Sequence, residues 1–289
     1  MSNGSLLKRS HYCGQLSKSQ IDQSVVVVGW VDKRRDHGGL IFIDLRDREG
    51  LVQVVLDPNN KELAQAKEAR SEFVVAVKGQ VRLRPEGMKN DKISSGEIEV
   101  LGEYFEILSE ASSLPIHIGD EKVSESLRLK YRYLELRSSR LQTYLKTRHR
   151  VAQIVRNLLT NEGFLEIETP ILYKSTPEGA RDYLVPSRVH LGHFYALPQS
   201  PQTLKQLLMI GGLDKYFQIA RCFRDEDLRA DRQPEFSQID IEMSFVDEED
   251  IIALNEKLLR QLWLEIKSID VGKIPRLSFQ EVMDRFGSD

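Results

Sequence analysis

The densest group of side chains that could do chemistry lies in residues 221–242, where arginines and carboxylates crowd the connection between two β-patterned runs. The second run alternates strictly, with Phe236, Gln238, Asp240, Glu242 and Ser244 on one face and Ile239, Ile241, Met243 and Phe245 on the other. Period-2 alternation predicts that the apolar face is buried. Arginine forks can bind an anion through paired hydrogen bonds, and carboxylates can orient amines or cations. The pattern therefore predicts either the floor of a polar pocket or a half-solvated hairpin.

The sequence of this connection favours the pocket. Segments 223–226 (Phe-Arg-Asp-Glu) and 229–236 (Arg-Ala-Asp-Arg-Gln-Pro-Glu-Phe) resemble motif 2 of the bacterial-type aspartyl-tRNA synthetases, in subclass IIb of the class II aminoacyl-tRNA synthetases. The resemblance implies that L-aspartate is activated with ATP and Mg²⁺ to aspartyl-adenylate and transferred to tRNA(Asp). It gives Arg224 the catalytic role, bridging the α-phosphate and the substrate carboxylate, where displacement at phosphorus accumulates negative charge. It assigns the ATP contacts to Arg224, Asp225, Glu226, Gln233 and Gln238.

A second candidate cluster begins at Ser200-Pro201, a good helix start with Ser at the N-cap and Pro in the first turn. The helix should run to about Ile210, with Lys205 on a polar face opposite a leucine face, and a lysine so placed is usually solvated. The family pattern Gln-Ser-Pro-Gln-x-x-Lys implies instead that Gln202 and Lys205 hold the substrate aspartate. The resemblance further implies that Asp240 orients Lys205. It also implies that Glu178, in a Pro-Gly loop, faces the substrate ammonium.

Five β-runs precede these clusters and have a helical pattern at 59–71 between the third and the fourth; they are residues 24–31, 39–46, 50–57, 73–83 and 97–108. Five strands with this one helix predict an OB-fold, a small barrel that often binds single-stranded nucleic acid. The predicted fold class is therefore α+β and multidomain, an OB-fold barrel followed by a partial class II catalytic domain with an antiparallel sheet. We expect an anticodon-binding domain at 1–108, a hinge at 109–137 and the catalytic domain at 138–289.

Between the first two runs, residues 33–39 predict a basic loop, beside which Phe42 lies on a polar face. An aromatic ring beside cations suits base stacking, although a surface Phe near a solvated charge run would look the same. The resemblance makes Phe42 the platform for an anticodon base, with Arg35 and Gln53 as further contacts. It extends the tRNA partner to tRNA(Asn) through His37, because Arg-Arg-Asp-His-Gly-Gly is similar to the subset that charges both tRNAs.

The first segment of the predicted catalytic domain is a long helix from Ser138, which ends near Gly163 and leads through a short strand to Pro170. This order resembles motif 1, which builds the homodimer interface in the family. An ordinary amphipathic helix feeding a strand would look the same without motif 2.

Composition bounds the remaining possibilities. The chain has 289 residues, 40% of them hydrophobic and 29% charged, and a net charge of −3, so any tRNA contact must come from a local basic patch. No apolar run approaches the roughly 18 residues of a membrane span, and the N-terminus lacks a signal-peptide core, which together predict a cytoplasmic protein. Cys13 and Cys222 should be buried small residues. We predict no metal ligands; His190 and His193 fit a hairpin turn.

The resemblance stops short of the complete enzyme, because no Gly-rich motif 3 follows Glu242. We therefore expect an N-terminal piece of a longer polypeptide, one that cannot form aspartyl-adenylate at a normal rate by itself. Two alternatives stay open, namely a non-catalytic tRNA- or single-stranded-DNA-binding module on a synthetase-like scaffold and a sister enzyme for Asn or Lys.

Overall fold

The computed structural model describes residues 8–57, 59–176, 178–227 and 232–288, and the chain divides into two compact units, 1–142 and 143–289. The strands of the first unit are β1 (Ser24–His37), β2 (Leu40–Asp47), β3 (Gly50–Leu56), β4 (Val74–Leu83) and β5 (Ile98–Ser109). They close into a barrel of order β1-β2-β3-β5-β4, with β3 and β5 parallel and the other pairs antiparallel. Short 3-10 helices lie at Cys13–Gln15, Lys18–Gln20 and Lys61–Lys67.

Strict alternation builds the barrel core. Along β2 every second residue is buried, so Ile41, Ile43 and Leu45 face inward while Phe42 and Asp44 stay partly exposed. The inward set joins valines of the other strands in one apolar cluster that also contains Cys13. The prediction that Cys13 is a small buried residue is confirmed.

Two predicted elements of the barrel differ from the structure. Residues 33–37, expected in a basic loop, continue β1 and pair with β2, so that the turn itself is only Gly38-Gly39, with φ of 60° and 81°. Two successive positive φ angles suit glycine, which has no Cβ to clash. The helical pattern at 59–71 forms a 3-10 helix over Lys61–Lys67 rather than an α-helix. Cross-strand pairing along the hairpin overrides the polar composition of residues 33–37.

The helices after the barrel are α1 (Glu125–Lys130), α2 (Arg132–Glu135), α3 (Ser139–Asn161), α4 (Gln202–Ile210), α5 (Glu248–Lys267) and α6 (Phe279–Phe286). The remaining strands are β6 (Leu165–Glu166), β7 (Leu184–Pro186), β8 (Phe194–Ala196), β9 (Lys215–Phe223) and β10 (Glu235–Met243). The central sheet has the order β10-β9-β6, and its long pair is antiparallel as expected. β6 is parallel to β9, so the sheet is mixed rather than purely antiparallel. α1 and α2 lie inside the segment expected to be a hinge.

One face of β9–β10 carries the core of the second unit. Phe217 of β9 packs with residues of α3 and α5, and Ile241 and Met243 of β10 lie against the same cluster. The predicted burial of the apolar face is thus confirmed for Ile241 and Met243. It is wrong for Ile239, which is 40% exposed, and for Phe245, which lies beyond the end of β10 and is 97% exposed. Alternation locates a face but does not tell how much of it the neighbouring helices cover.

Helix α3 begins one residue after the predicted start, and Gly163 ends it with φ of 85° and an N–H donated to the Thr160 carbonyl. Within the described residues, no helix is long and apolar enough to cross a membrane.

Candidate active site

The free face of the β9–β10 pair, opposite the α3–α5 core, is polar. Register places Phe236 beside Cys222, Gln238 beside Ala220, Asp240 beside Gln218 and Glu242 beside Tyr216. The predicted polar face is therefore confirmed as far as Met243, where β10 ends; Ser244 follows the strand. At the other end Arg224 leaves β9, donating its backbone N–H to the Pro234 carbonyl at 2.9 Å and holding its guanidinium carbon 5.1 Å from the centroid of the Phe236 ring.

Lys205 reaches this face from α4 and meets two carboxylates. Its Nζ lies 2.8 Å from Asp240 Oδ1 and 3.3 Å from Glu242 Oε2. Burial works against the ammonium ion, but the hydrogen bond and charge of Asp240, together with Glu242, outweigh it and raise the pKa of Lys205. Burial also raises the pKa of Asp240 despite Lys205, with Glu242 adding to the shift. The two directions are compatible because the cluster holds two carboxylates for one cation.

The burial of Lys205 on α4 differs from what the helix pattern alone favours, a solvated lysine, and is compatible with the pocket that the resemblance implied. Lys205 is the buried residue of this fully described helix, whereas Leu207 is 53% and Ile210 82% exposed. Amphipathicity identifies two faces, yet the carboxylates on β10 decide which one turns inward. The N-cap position is occupied by Pro201 rather than Ser200, although Ser200 Oγ still accepts a hydrogen bond from the Gln202 N–H at 3.3 Å.

Asp240 also borders a buried tyrosine. The Tyr216 side chain is fully buried, and its hydroxyl donates to Gln218 Oε1 at 2.9 Å. A phenol has one proton to give. Asp240 Oδ2 is the buried alternative acceptor for that proton, and hydrogen bonding by Tyr216 lowers the pKa of Asp240 against the larger effect of burial. Burial raises the pKa of Tyr216, and the charge of Asp240 adds to it, so the phenol stays protonated.

Glu178 lies on the loop that precedes β7. Its Oε1 accepts from Thr176 Oγ1 at 2.9 Å and its Oε2 from Ser200 Oγ at 2.5 Å. The next residue is Gly179, whose φ of 101° is open to glycine but strained for other residues. Pro177, part of the same predicted loop, lies outside the described residues. Glu178 is thus tied to the residue that leads into α4.

The sequence analysis missed Gln199, which is 1% exposed. Its Oε1 accepts the Ala180 N–H at 2.9 Å, and its Nε2 donates to the Ala180 carbonyl at 2.8 Å and to Asp182 Oδ1 at 2.5 Å. The pattern Gln-Ser-Pro-Gln-x-x-Lys begins at Gln199 but gave it no role, because all of its partners lie 17 or 19 residues away in the chain. Glu242 was placed on the correct face but given no role.

A cavity of about 710 Å³ opens at the Arg224 end of the sheet. Its lining includes Arg224, Glu226, Gln233 and Phe236, three of which are predicted ATP contacts, together with Arg232. Arg148, Arg221, Glu235 and Ser237 also line it, and Arg221 and Ser237 lie on the opposite face of the strand pair, so the cavity extends around the end of the hairpin. Asp225 and Gln238, the other two predicted ATP contacts, are not in the lining. Asp225 forms a backbone bridge with Arg181, and Gln238 Oε1 accepts from Cys222 Sγ at 3.4 Å. Residues 228–231 of the motif 2 segment lie outside the described residues.

The Cys222 thiol shows that the predicted groups share one environment. Cys222 is fully buried on the polar face, as the sequence predicted for this cysteine. Burial and then the charge of Asp240 raise its pKa to about 11, opposed by Arg224; smaller contributions come from Glu178 and Lys205. Electrostatic influence of this kind requires short separations. Arg224 packs on Phe236 and Lys205 contacts Asp240, and Phe236 and Asp240 lie on the same face of β10; Lys205 is not part of the cavity lining.

The barrel carries the second predicted site, on the outer side of β1–β3. Arg35 pairs with Phe42 across the ladder, and its guanidinium lies 2.7 Å from Asp44 Oδ1 and 3.4 Å from Gln53 Oε1. Phe42 is half-buried, and His37 is exposed next to the Gly38-Gly39 turn. Burial raises the pKa of Asp44, although Arg35 opposes the shift.

Gln53 is not a free surface side chain. It is 9% exposed, and its Nε2 donates to Glu99 Oε2 at 2.8 Å; Glu99 also accepts from Arg82 Nε at 2.8 Å. Next to it, Arg84 Nη2 is buried without a hydrogen-bond partner among the described residues, and burial lowers the pKa of Arg84. This network from β3, β4 and β5 was not predicted, since it joins residues that are far apart in the chain.

His190 and His193 lie in the turn between β7 and β8, where the His193 N–H donates to the His190 carbonyl at 3.1 Å. Across the described ranges, no group of three or more His, Cys, Asp and Glu side chains could hold a metal ion.

Comparison with known proteins gives two family matches. The profile described as tRNA synthetases class II (D, K and N) matches residues 124–289, and the profile described as OB-fold nucleic acid binding domain matches residues 25–108. These matches confirm the predicted fold class, an OB-fold barrel followed by part of a class II catalytic domain.

Among curated proteins, an aspartate–tRNA(Asp/Asn) ligase of Halothermothrix orenii is 60% identical over 286 residues, covering 98% of this chain and 48% of that protein. An aspartate–tRNA(Asp/Asn) ligase of Legionella pneumophila is 57% identical over 284 residues, covering 97% of this chain and 48% of that protein. The chain thus spans about half the length of the curated relatives it matches. Asparaginyl-tRNA synthetase from Pyrococcus horikoshii, solved with asparaginyl-adenylate, aligns with a TM-score of 0.82 at 26% identity, covering 96% of this chain and 67% of that one.

Proposed function

Because this chain belongs to the class II tRNA synthetases described for D, K and N, we propose that the protein containing it is an aspartate–tRNA ligase. The observation that carries the proposal is the buried Lys205, held by Asp240 and Glu242 on the polar face of β9–β10. The chain spans about half of its curated relatives, so the activity is proposed for the complete protein.

The substrate side chain would bind Lys205. A carboxylate entering a buried site needs a cation, because an unpaired buried charge costs several kcal/mol. Lys205 offers an ammonium group that Asp240 and Glu242 keep protonated. Gln202, on the first turn of α4, would add a polar contact. A neutral asparagine side chain would gain less from the ammonium, and a lysine side chain would be repelled by it.

The substrate ammonium would meet carboxylates on the same face. Asp240 lies on the polar face of β10, and Glu178 contacts Ser200 at the start of α4. Both groups would accept hydrogen bonds from the α-ammonium. Aspartate would therefore bring an anion for Lys205 and an ammonium group for the carboxylates of this face.

ATP would occupy the cavity at the Arg224 end. The guanidinium would bridge the α-phosphate and the α-carboxylate, so that the carboxylate oxygen attacks phosphorus and pyrophosphate leaves in line. The attacking carboxylate is already ionised, so this step needs no general base. Glu226 would accept from the adenine amino group. Gln233, Gln238 and Asp225 would supply further polar contacts.

Mg²⁺ would arrive with the nucleotide and neutralise charge on its phosphates. This ion commonly binds through one or two carboxylates and substrate phosphates rather than through a complete protein cage. The described residues fit that mode, since Asp227 lines the cavity and no cluster among them could hold the ion by itself.

The barrel would bind the anticodon of tRNA(Asp), through Phe42 stacking and through Arg35, with Gln53 fixing Arg35 from beneath. His37 would extend the range to tRNA(Asn). We assign anticodon binding to residues 1–108, a hinge to 109–137 and catalysis to 138–289. The exposed Tyr144 and Leu145 on α3 support a homodimer through the motif 1 helix, in a cytoplasmic protein.

The test is ATP–pyrophosphate exchange by the complete protein with aspartate, asparagine or lysine as the amino acid. The proposal expects exchange with aspartate and at least about a hundredfold lower kcat/KM with the other two, because each mismatches the charge at Lys205. Preference for asparagine or lysine would assign a sister specificity. Absence of exchange with all three would leave a nucleic-acid-binding module.

A further inference from the structure

Gln199 makes a set of contacts that no step of the proposed reaction uses. Its side chain is almost completely buried, and its amide forms both hydrogen bonds that a peptide group can offer, one to the N–H and one to the C=O of Ala180. The second amide proton goes to Asp182 Oδ1. Every donor of this amide is therefore satisfied by the loop that carries Glu178.

Asp182 links the two ends of that loop. Its Oδ2 accepts from Ser175 Oγ at 2.5 Å, so residues 175 and 182 are joined across the base of the loop. Glu178 lies between them and touches Ser200, the residue directly after Gln199. Gln199 thus holds the loop at Ala180 and Asp182, and the next residue, Ser200, holds it at Glu178. Helix α4, which carries Lys205, begins two residues after Ser200.

We propose that Gln199 is a positioning residue that holds the Ala180 backbone and thereby fixes the Glu178 carboxylate where the substrate ammonium binds. Gln199 acts only through the loop and touches neither aspartate nor ATP. The kinetic part of this inference depends on the proposed function, whereas the structural part does not.

Glycine at position 179 makes such a clamp necessary. A glycine next to Glu178 leaves the backbone many conformations to lose, so an unrestrained loop would present the carboxylate in many orientations. Hydrogen bonds to both the N–H and the C=O of Ala180, the residue after Gly179, remove most of that freedom. The clamp should therefore change the affinity for the amino acid more than the rate of the chemical step.

The test uses Gln199→Glu, which keeps the shape and the acceptor for the Ala180 N–H but removes both donors and places a carboxylate against Asp182. Amide hydrogen exchange at Ala180 reports the clamp directly in this chain and needs no activity. Residue 199 can still accept from the Ala180 N–H, but the loop loses two of its three hydrogen bonds to this side chain and should open more often, so we expect exchange at Ala180 to accelerate about tenfold or more. Exchange in β9 and β10 should stay unchanged.

Two further variants separate positioning from general damage. The double variant Gln199→Glu with Asp182→Asn supplies a new donor to residue 199 and leaves an acceptor for Ser175, so protection of Ala180 should partly return. Gln206→Glu makes the same chemical change at an exposed position of α4 and should leave protection of Ala180 as it is.

In the complete protein, Gln199→Glu should raise the KM for aspartate about tenfold, with the KM for ATP within about twofold of the parent. The double variant should recover part of that loss. Unchanged exchange at Ala180 would overturn the clamp. Faster exchange with an unaltered KM for aspartate would overturn its role in positioning Glu178. If the parent protein showed no aspartate-dependent exchange, the proposed function would fail, and hydrogen exchange would still decide whether Gln199 clamps the loop.

Discussion

Lys205 and Asp240 stand 2.8 Å apart with side chains only 10% and 9% exposed, although 35 residues separate them in the chain. The pair joins α4 to β10 and turns the lysine face of an amphipathic helix inward. Glu242 adds a second carboxylate at 3.3 Å, so two carboxylates surround one ammonium group. This arrangement favours a ligand with an ammonium group and a second anionic group.

Replacing Lys205 by Met should destabilise this chain by about 3 kcal/mol, because breaking a buried ion pair leaves an uncompensated carboxylate. Urea denaturation measures the loss. In the complete protein the same change should abolish aspartate activation while ATP still binds.

The matched control is Lys257→Met, which removes a lysine paired with Glu162 at exposed positions, 57% and 34% accessible. Exposed pairs contribute at most about 1 kcal/mol, so the control should differ little from the parent. Equal losses for the two variants would contradict the importance assigned to the buried pair.

The raised pKa of Lys205 predicts a specific alkaline dependence. The folded chain holds this proton more tightly than the unfolded chain, whose lysine titrates near its ordinary pKa of 10.5. The stabilisation is therefore complete below pH 10.5 and is lost as the pH rises through the folded-state pKa. The difference in unfolding free energy between the parent and Lys205→Met should shrink above pH 10.5. A difference that grew with pH would show that the pKa is not raised.

Arg224→Lys should lower kcat/KM for aspartate-dependent exchange by about a hundredfold or more in the complete protein. A lysine keeps the charge but loses the planar fork that can bridge phosphate and carboxylate. Arg260→Lys, on the exposed side of α5, makes the same replacement away from this face and should keep the parental rate. A fully active Arg224→Lys enzyme would remove Arg224 from the proposed chemistry.

Phe42→Ala should raise the dissociation constant of the tRNA(Asp) anticodon stem-loop about tenfold to a hundredfold, because the variant loses the stacking free energy of one base on the ring. The factor should be the same at each salt concentration, because stacking releases no counterions. Arg35→Gln should instead lower the slope of the logarithm of the binding constant against the logarithm of the salt concentration by about one, the value for one phosphate contact. Filter binding across a salt series separates the two, and an unaltered affinity for Phe42→Ala would contradict base stacking on this ring.

Much of the barrel could be predicted from sequence, because each strand buries one face and alternation records it. The predicted ends of β2, β3, β4 and β5 lie within a residue of the observed ones. The end of β1 was missed by six residues, since residues 32–37 are polar on both faces and are held by pairing with β2. No pattern within one strand can report the partner that extends it.

Candidate site residues within a sequence motif could be proposed from the sequence. Contacts between residues that are far apart in the chain could not. The polar face of β10 could be read from alternation, whereas the burial of Lys205 depends on carboxylates 35 and 37 residues further along. The contacts of Gln199 and the hydrogen bond between Gln53 and Glu99 likewise join residues that are far apart in the chain. Pairings of this kind follow from the fold rather than from local residue patterns.

The most direct measurement is a crystal structure of the complete protein with a non-hydrolysable aspartyl-adenylate analogue. The account predicts Lys205 Nζ within about 3 Å of the side-chain carboxylate of the ligand, with the Arg224 guanidinium at hydrogen-bond distance from the acyl-phosphate mimic. An analogue bound with its side-chain carboxylate away from Lys205, or outside the face shared with Arg224, would contradict it.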